Sequence, residues 1–406
     1  MPDKLHDLTP GQRVAWHRVR RGMSQQVLAG LVSRTEDWLS KIENDRAVLD
    51  RVSVIRTLAD ALGVSVFDLI GEPTPNGVRQ ELPGVDHVRA ALMDYRRLSP
   101  LLKAIEKDSQ APRIDMLRRD LDEVMTAYQQ SYYSRVLRRL PELLSQSQLA
   151  ISEYDGDQGQ TALRIAALAN QSAAMLLPKL GHADLAWIAA QRGLALAEQS
   201  GDPVIIGSLL RSVIHALHSH DRREDAAAMT RKAAEYLQGE LDTSDPGLVS
   251  IYGTLLLPGA VASARVGDRS TTREYLTEAK RMATQLGADS NHLWTAFGPT
   301  NVKVHQVTTA MSLGDVQIAL DLIPHIDTAA LPMERRARHS LEVVNAYHVR
   351  NKVDQAIDEL LAAEKKAPEQ IHEHVMSRQL VHRLRSTALG RKSQRLAALA
   401  RRMKIL

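Results

Sequence analysis

The chain has 406 residues, more than one hydrophobic core usually supports, so two domains are expected. It contains no cysteine, which excludes disulfides, thiolate catalysis and every zinc site built on cysteine, and which suits a reducing cytoplasm. The formal net charge is only +4, and residues 1–70 carry ten Lys/Arg against nine Asp/Glu, so charge gives no reason to expect nucleic-acid binding.

The opening segment MPDKLHDLTP has no apolar run, and no later segment is expected to approach the length of a membrane span, so a soluble, unsecreted, cytoplasmic protein is expected. Thr9 followed by Pro10 predicts an N-cap and a first helical residue, opening a helix that runs through Arg21 and ends at Gly22. From Ser24 to Asn44 the run SQQVLAGLVSRTEDWLSKIEN predicts two short helices, each opened by a side-chain oxygen, Ser24 and Thr35. Leu28 and Ala29 lie on one apolar stripe and Leu39 and Ile42 on another, so each helix buries one face. Val32 to Arg34 is the turn between them, short enough that the second helix can project and fit a major groove. A fourth helix starts at Asp50 or Ser53 and stops at Gly63, and Ser65 caps a short fifth one holding Phe67, Leu69 and Ile70. Gly71 to Val85 contains three prolines and three glycines and is the expected linker.

The residues Ser24-Gln25, Leu28-Ala29 and Leu39-Ser40-Lys41-Ile42-Glu43-Asn44, with Arg18 and Gly22 before them and LADALGVSVFDLI after, resemble the Xre family of phage-repressor-like helix-turn-helix proteins. The resemblance implies a five-helix DNA-binding domain over residues 1–70. It implies that Gln25 contacts a phosphate, that Thr35, Glu36, Asp37, Ser40 and Lys41 face the groove, and that Arg46 contacts a phosphate beyond the third helix. Arg18 and Glu43 would be a structural pair. Two departures stand out: the family often has Gly where Ser33 stands, and an uncharged or basic residue where Glu36 stands. Glu36 and Asp37 either complement the dipole of a first helical turn or accept from cytosine N4 and exclude wrong sequences. Trp38 reads as packing.

Everything from Asp86 onward is helical in period, with no β-branched alternation, so the fold class is all-α. Five sites repeat one pattern, a helix ending on a Gly-Asp-like corner before an alanine-rich helix, with corners at Gly181, His220, Gly267, Gly314 and Asn351. Spacings of 39, 47, 47 and 37 residues exceed the 34 of a tetratricopeptide unit, so residues 86–406 are expected to form an elongated TPR-like α-solenoid for sensing and dimerisation. Asp86 to Tyr154 would be its N-terminal cap, with a helix pair interrupted at Pro141, and Ser377 to Leu406 the other cap. Residues 375–406 hold nine Lys/Arg and no acid, read as a solvated face, a dock for a partner subunit or extra phosphate contacts. A helix-turn-helix domain before such a solenoid resembles TPR-containing Xre regulators of actinomycetes, with WTAFGPTNVKVHQV and YQQSYYSRVLRRLPELL like that group, and more distantly the peptide-pheromone quorum-sensing regulators. That resemblance implies a dimeric transcription regulator receiving a signal.

Counting back thirteen and nine residues from each corner selects one helix face, polar in the later repeats. Arg211, Thr254, Asn301, His305, Arg338 and Glu342 are therefore the candidate ligand set, with an inter-repeat hydrogen-bond network as the competing explanation. The expected partners are double-stranded operator DNA, a signalling peptide or small molecule, and a second copy of the chain. No cofactor, metal, membrane or catalytic residue is assigned. The pairs His218/His220 and His372/His374 read as surface histidines, since neither has a third metal ligand nearby. Two alternatives stay open: a ligand-independent regulator whose solenoid is a platform for protein partners, and a scaffold whose helix-turn-helix motif has no operator.

Overall fold

The computed structural model describes residues 8–47, 49, 52–62, 64, 69, 82–94 and 112–405. The chain divides near residue 80 into two compact units. Among the described residues both are helical, with a single isolated bridge between Ser290 and Phe297.

The first unit contains α1 (Pro10–Arg20), α2 (Gln25–Leu31), α3 (Glu36–Glu43) and α4 (Val52–Leu62). Each of the first three is opened by the oxygen its sequence offers. Thr9 and Gln12 form a reciprocal capping box, Ser24 accepts from the Val27 amide at 3.1 Å, and Thr35 accepts from the Trp38 amide at 3.2 Å. Val14, Leu28, Ala29, Leu39, Leu58 and Leu62 form the core, and half-buried Trp38 packs against it. Gly11 sits where α1 crosses the end of α3: a Cβ there would lie 2.0 Å from the Ile42 carbonyl oxygen. The expected fifth helix and most of the expected linker lie outside the described residues, apart from buried Leu69.

The second unit is a TPR-like α-solenoid. After α5 (Val85–Leu92) come six helix pairs: α6 (Ile114–Gln129) with α7 (Tyr133–Glu153), α8 (Gly156–Leu176) with α9 (Ala183–Ser200), and α10 (Pro203–Ser219) with α11 (Arg223–Gly239). There follow α12 (Pro246–Arg265) with α13 (Arg269–Leu286), α14 (Pro299–Ser312) with α15 (Val316–Leu322), and α16 (Met333–Val349) with α17 (Val353–Lys366). Four short helices end the unit: α18 (Pro368–Glu373), α19 (Val375–Ser386), α20 (Ala388–Lys392) and α21 (Gln394–Arg402).

Each pair turns on one residue in the left-handed region, which ends a helix by letting its last carbonyls be satisfied. Gly181, Gly267, Gly314 and Asn351 hold that place as expected, at φ 88°, 83°, 83° and 55°. The second expected corner is displaced by one residue, to Asp221 at φ 55°, because His220 keeps a right-handed φ of −93°. A sixth corner, Ser131 at φ 65°, shows that α6 and α7 are a repeat pair of their own, and α7 runs through Pro141 without a break. Helix α12 corrects the membrane expectation in part: its 20 residues are long and apolar enough to span a bilayer, but 94% of its most apolar window is buried in the unit. Phe297 comes so close that a Cβ on Gly253 would lie 2.1 Å from its ring.

The ends of this unit meet. Ser131 Oγ donates to Gln370 Oε1 at 2.6 Å, Glu369 accepts from the amide and hydroxyl of Ser134 at 2.7 and 2.9 Å, and the Val375 amide donates to the Lys179 carbonyl at 2.9 Å. The basic C-terminal helices dock on their own unit, as the expected cap would, and most of their cations lie on a solvated face. Arg402 grips Glu364, Arg395 reaches Asp358 at 2.6 Å, and Arg378 donates to the Met403 carbonyl at 2.8 Å. Arg383, Arg391, Lys392 and Arg401 stay exposed.

Candidate functional site

Helix α3 is held by one buried carboxylate. Glu43, 7% exposed, accepts from Arg18 Nε at 2.6 Å and Nη2 at 2.8 Å, while Arg18 Nη1 donates to the Met23 carbonyl at 2.8 Å. The bidentate bond holds Arg18 above its ordinary pKa, chiefly through hydrogen bonding to Glu43. Gln25 Nε2 also donates to Glu43, at 2.7 Å, so this half-buried side chain is tied to α3. Thr9 and Gln12 clasp Asp45, just past the end of α3, at 2.6 and 3.0 Å.

The opposite face of α3 is polar. Glu36, Asp37 and Lys41 are exposed, Ser40 is half-buried, and Thr35 serves as the cap. Lys41 Nζ lies 2.6 Å from Asp37 Oδ2, with both side chains mostly exposed. Arg46 is exposed just beyond the helix, and the Arg34 guanidinium sits 5.6 Å from the Trp38 ring. A family model described as a helix-turn-helix domain matches residues 11–68. The first unit is a helix-turn-helix domain.

No curated protein matches the chain. Among solved structures it is similar to Bacillus thuringiensis PlcR in complex with the peptide PapR7 and DNA, at 15% identity, covering 69% of this chain and 95% of that one, with a TM-score of 0.33. A Rap protein complexed with Competence and Sporulation Factor matches at 13% identity over 96% and 99% of the two chains, TM-score 0.38. ComR from S. thermophilus, in complex with DNA and its signalling peptide ComS, matches at 12% over 88% and 99%, TM-score 0.29.

In the second unit, a cavity of about 590 Å³ opens among the C-terminal halves of α8, α10 and α12, the middle of α14 and the N-terminal half of α16, and is bounded by α19. Arg211, His305, Arg338 and Glu342 line it. Thr254 and Asn301 do not: both are fully buried between helices, and Asn301 Nδ2 donates to the Ala296 carbonyl at 2.9 Å. Four of the six selected residues thus border the cavity, and the other two lie nearer the starts of their helices. Six residues before the first four corners stand Met175, His215, Val261 and Thr308, which also line the cavity, whereas at the fifth corner it is Arg338 and Glu342, thirteen and nine residues before it, that do. Periodicity marks a face but not how far along it the helices diverge.

The charge balance of the cavity is uneven. Lys179, Arg211, Arg265, Arg335 and Arg338 line it, whereas Glu342 is the only carboxylate in the lining. Arg338 pairs with Glu342 at 2.9 Å, and Lys179 pairs with buried Glu334. Burial pushes Glu334 up, but Lys179 and Arg335 overcome it and hold it at about 2. Burial likewise opposes the Lys179 charge, yet Glu334 and Tyr128 raise its pKa, the ammonium lying 5.3 Å from the Tyr128 ring centre. Arg211 has no such partner. It is 3% exposed, its Nε is unbonded among the described residues, and burial lowers it to about 10. Arg335 Nε is also buried without a partner among them.

Five histidines complete the wall, and burial lowers each. His218 and His339 fall to about 4, His305 to about 3, and His215 and His374 well below their ordinary value, so all are neutral at pH 7. The surface reading is therefore wrong for His218 and His374; His220 is exposed, and half-buried His372 bonds Glu364 at 2.7 Å. Carbonyl partners assign two tautomers. His305 Nδ1–H donates to the Asn301 carbonyl at 2.9 Å, leaving Nε2 an acceptor, and His218 Nε2–H donates to the Pro258 carbonyl at 3.0 Å while Nδ1 accepts from Arg265 at 3.2 Å. Lys179, Arg265 and Arg335 were missed because they lie off the sampled positions of the repeat.

Proposed function

We propose that the chain is a sequence-specific DNA-binding transcription regulator of the Xre type, like the TPR-containing actinomycete regulators, working as a homodimer on a two-fold-related operator. Its solenoid receives a signalling ligand in the cavity, and the ligand shifts DNA binding by its differential affinity for two arrangements of the protein. The observation that carries the reading is α3. One face is anchored through Leu39, Ile42 and the Arg18–Glu43 pair, and the other presents exposed Glu36, Asp37 and Lys41 with half-buried Ser40 among them. A rigid short helix with an exposed polar face is what groove readout needs. Gln25 supports α3 through Glu43 and would reach a phosphate only by exchanging that partner.

The test is selection of duplexes from a randomised pool by the full chain, followed by titration of the selected operator. Lys41→Ala should weaken operator binding by roughly fivefold or more, a loss of about 1–3 kcal/mol, with circular dichroism unchanged. Failure to enrich any sequence, or undiminished binding by Lys41→Ala and Arg46→Ala together, removes the proposal.

A further inference from the structure

The cavity also says what class of ligand it suits. A space of about 590 Å³ is within the range of small-molecule sites. If compact, it is about 10 Å across, enough for about three residues of extended peptide at 3.3–3.6 Å each. The hydrogen bonds from Ser131 and Ser134 to α18 and from Val375 to Lys179 join the ends of the repeat array beside this space. Five cations gather around the space, and Glu334 and Glu342 offset two, leaving three positive charges in excess. An uncompensated buried charge is strongly unfavourable, and a guanidinium with unused donors is the group best matched to a planar or tetrahedral oxyanion. Arg211 is such a group, almost wholly buried, with its Nε unbonded among the described residues, and Arg335 has the same unbonded Nε.

We infer that this cavity binds a small polyanion bearing two or more phosphate or carboxylate groups, held by Arg211, Arg265 and Arg335. Neutral His305 adds an acceptor nitrogen, so a ligand with a hydroxyl beside its anionic groups fits better than a bare ion. The inference deepens the proposed signal-sensing role and rests on that reading only for its consequence on DNA binding.

The test uses the full chain and two probes, pyrophosphate and citrate, in calorimetric titration and thermal melts against sodium chloride of equal ionic strength. One or both should bind and raise the melting temperature beyond the chloride control. A response to pyrophosphate alone identifies phosphate, to citrate alone carboxylate, and to both the shared oxyanion chemistry. Arg211→Gln and Arg335→Gln should each weaken the response at least tenfold, while exposed Arg273→Gln keeps it. No response to either probe in the unmodified chain overturns the inference, which needs no variant to fold. An undiminished response in both cavity variants overturns it as well, because the anion then sits elsewhere. Operator titration separates the two readings: a chain that binds its operator but ignores both anions loses only this one, and a chain that binds anions through Arg211 without enriching any duplex loses only the regulator reading.

Discussion

Ser33 adopts φ 53° in the turn between α2 and α3, a conformation that disfavours any side chain with a Cβ. It stands where the resembling family often has glycine, and its exposed side chain leaves room for the exchange. Ser33→Gly should therefore stabilise the helix-turn-helix domain by about 0.5–1 kcal/mol, the relief of left-handed strain exceeding the added freedom of the unfolded chain. Amide hydrogen exchange of residues 10–62 in the full chain measures it, and faster exchange in the variant would contradict the strain argument. The same scale explains Gln25, expected from the resemblance to contact a phosphate yet bonded to Glu43 in the folded domain. A pattern of residue types does not report which of two partners a side chain takes.

At the scale of the element, α3 carries two carboxylates in its first turn and one lysine in its last. Glu36 and Asp37 favour the helix through its dipole, and the exposed Asp37–Lys41 pair adds at most a few tenths of a kcal/mol. On the proposed reading the same carboxylates would repel phosphate and serve specificity at the expense of affinity. Asp37→Asn frees Lys41 and removes one repulsion. It should raise affinity for random duplex severalfold and narrow the gap between operator and random DNA, as paired titrations would show. Unchanged affinity for random duplex would place Asp37 off the DNA face. The repeat helices teach a related lesson. Their left-handed corners were readable because Gly and Asn announce them, but Ser131 and Asp221 were not, since Ser and Asp serve equally well as ordinary caps.

At the scale of the whole chain, the buried histidines couple the solenoid to pH. Folding lowers the pKa of His305, His339 and His374, so the unfolded chain binds more protons than the folded one below about pH 6.5. Their contribution is complete above that pH and is lost as pH falls toward the folded values. Stability of the second unit should decline by a few kcal/mol between pH 6.5 and pH 5, on the order of 1 kcal/mol per pH unit for each buried histidine. Urea midpoints across that interval check it, and a flat profile would mean the imidazoles are hydrated in solution.

The sequence by itself determined the all-α class, the helix-turn-helix motif and the existence of repeats. These depend on local rules: apolar spacing, an oxygen at each helix start and a glycine at a corner act within a few residues of where they are read. It also selected a helix face of the solenoid from which Arg211, His305, Arg338 and Glu342 border the cavity, while Thr254 and Asn301 are buried between helices. Only the tertiary structure decided that Arg211, Arg265, Arg335 and Arg338 converge, that half-buried His218 and buried His374 line the cavity beside them, and that the ends of the repeat array join through Ser131 and Gln370. Such encounters join residues up to 239 positions apart. They depend on the accumulated rotation of one helix pair on the next, and no periodicity within a single helix encodes that angle.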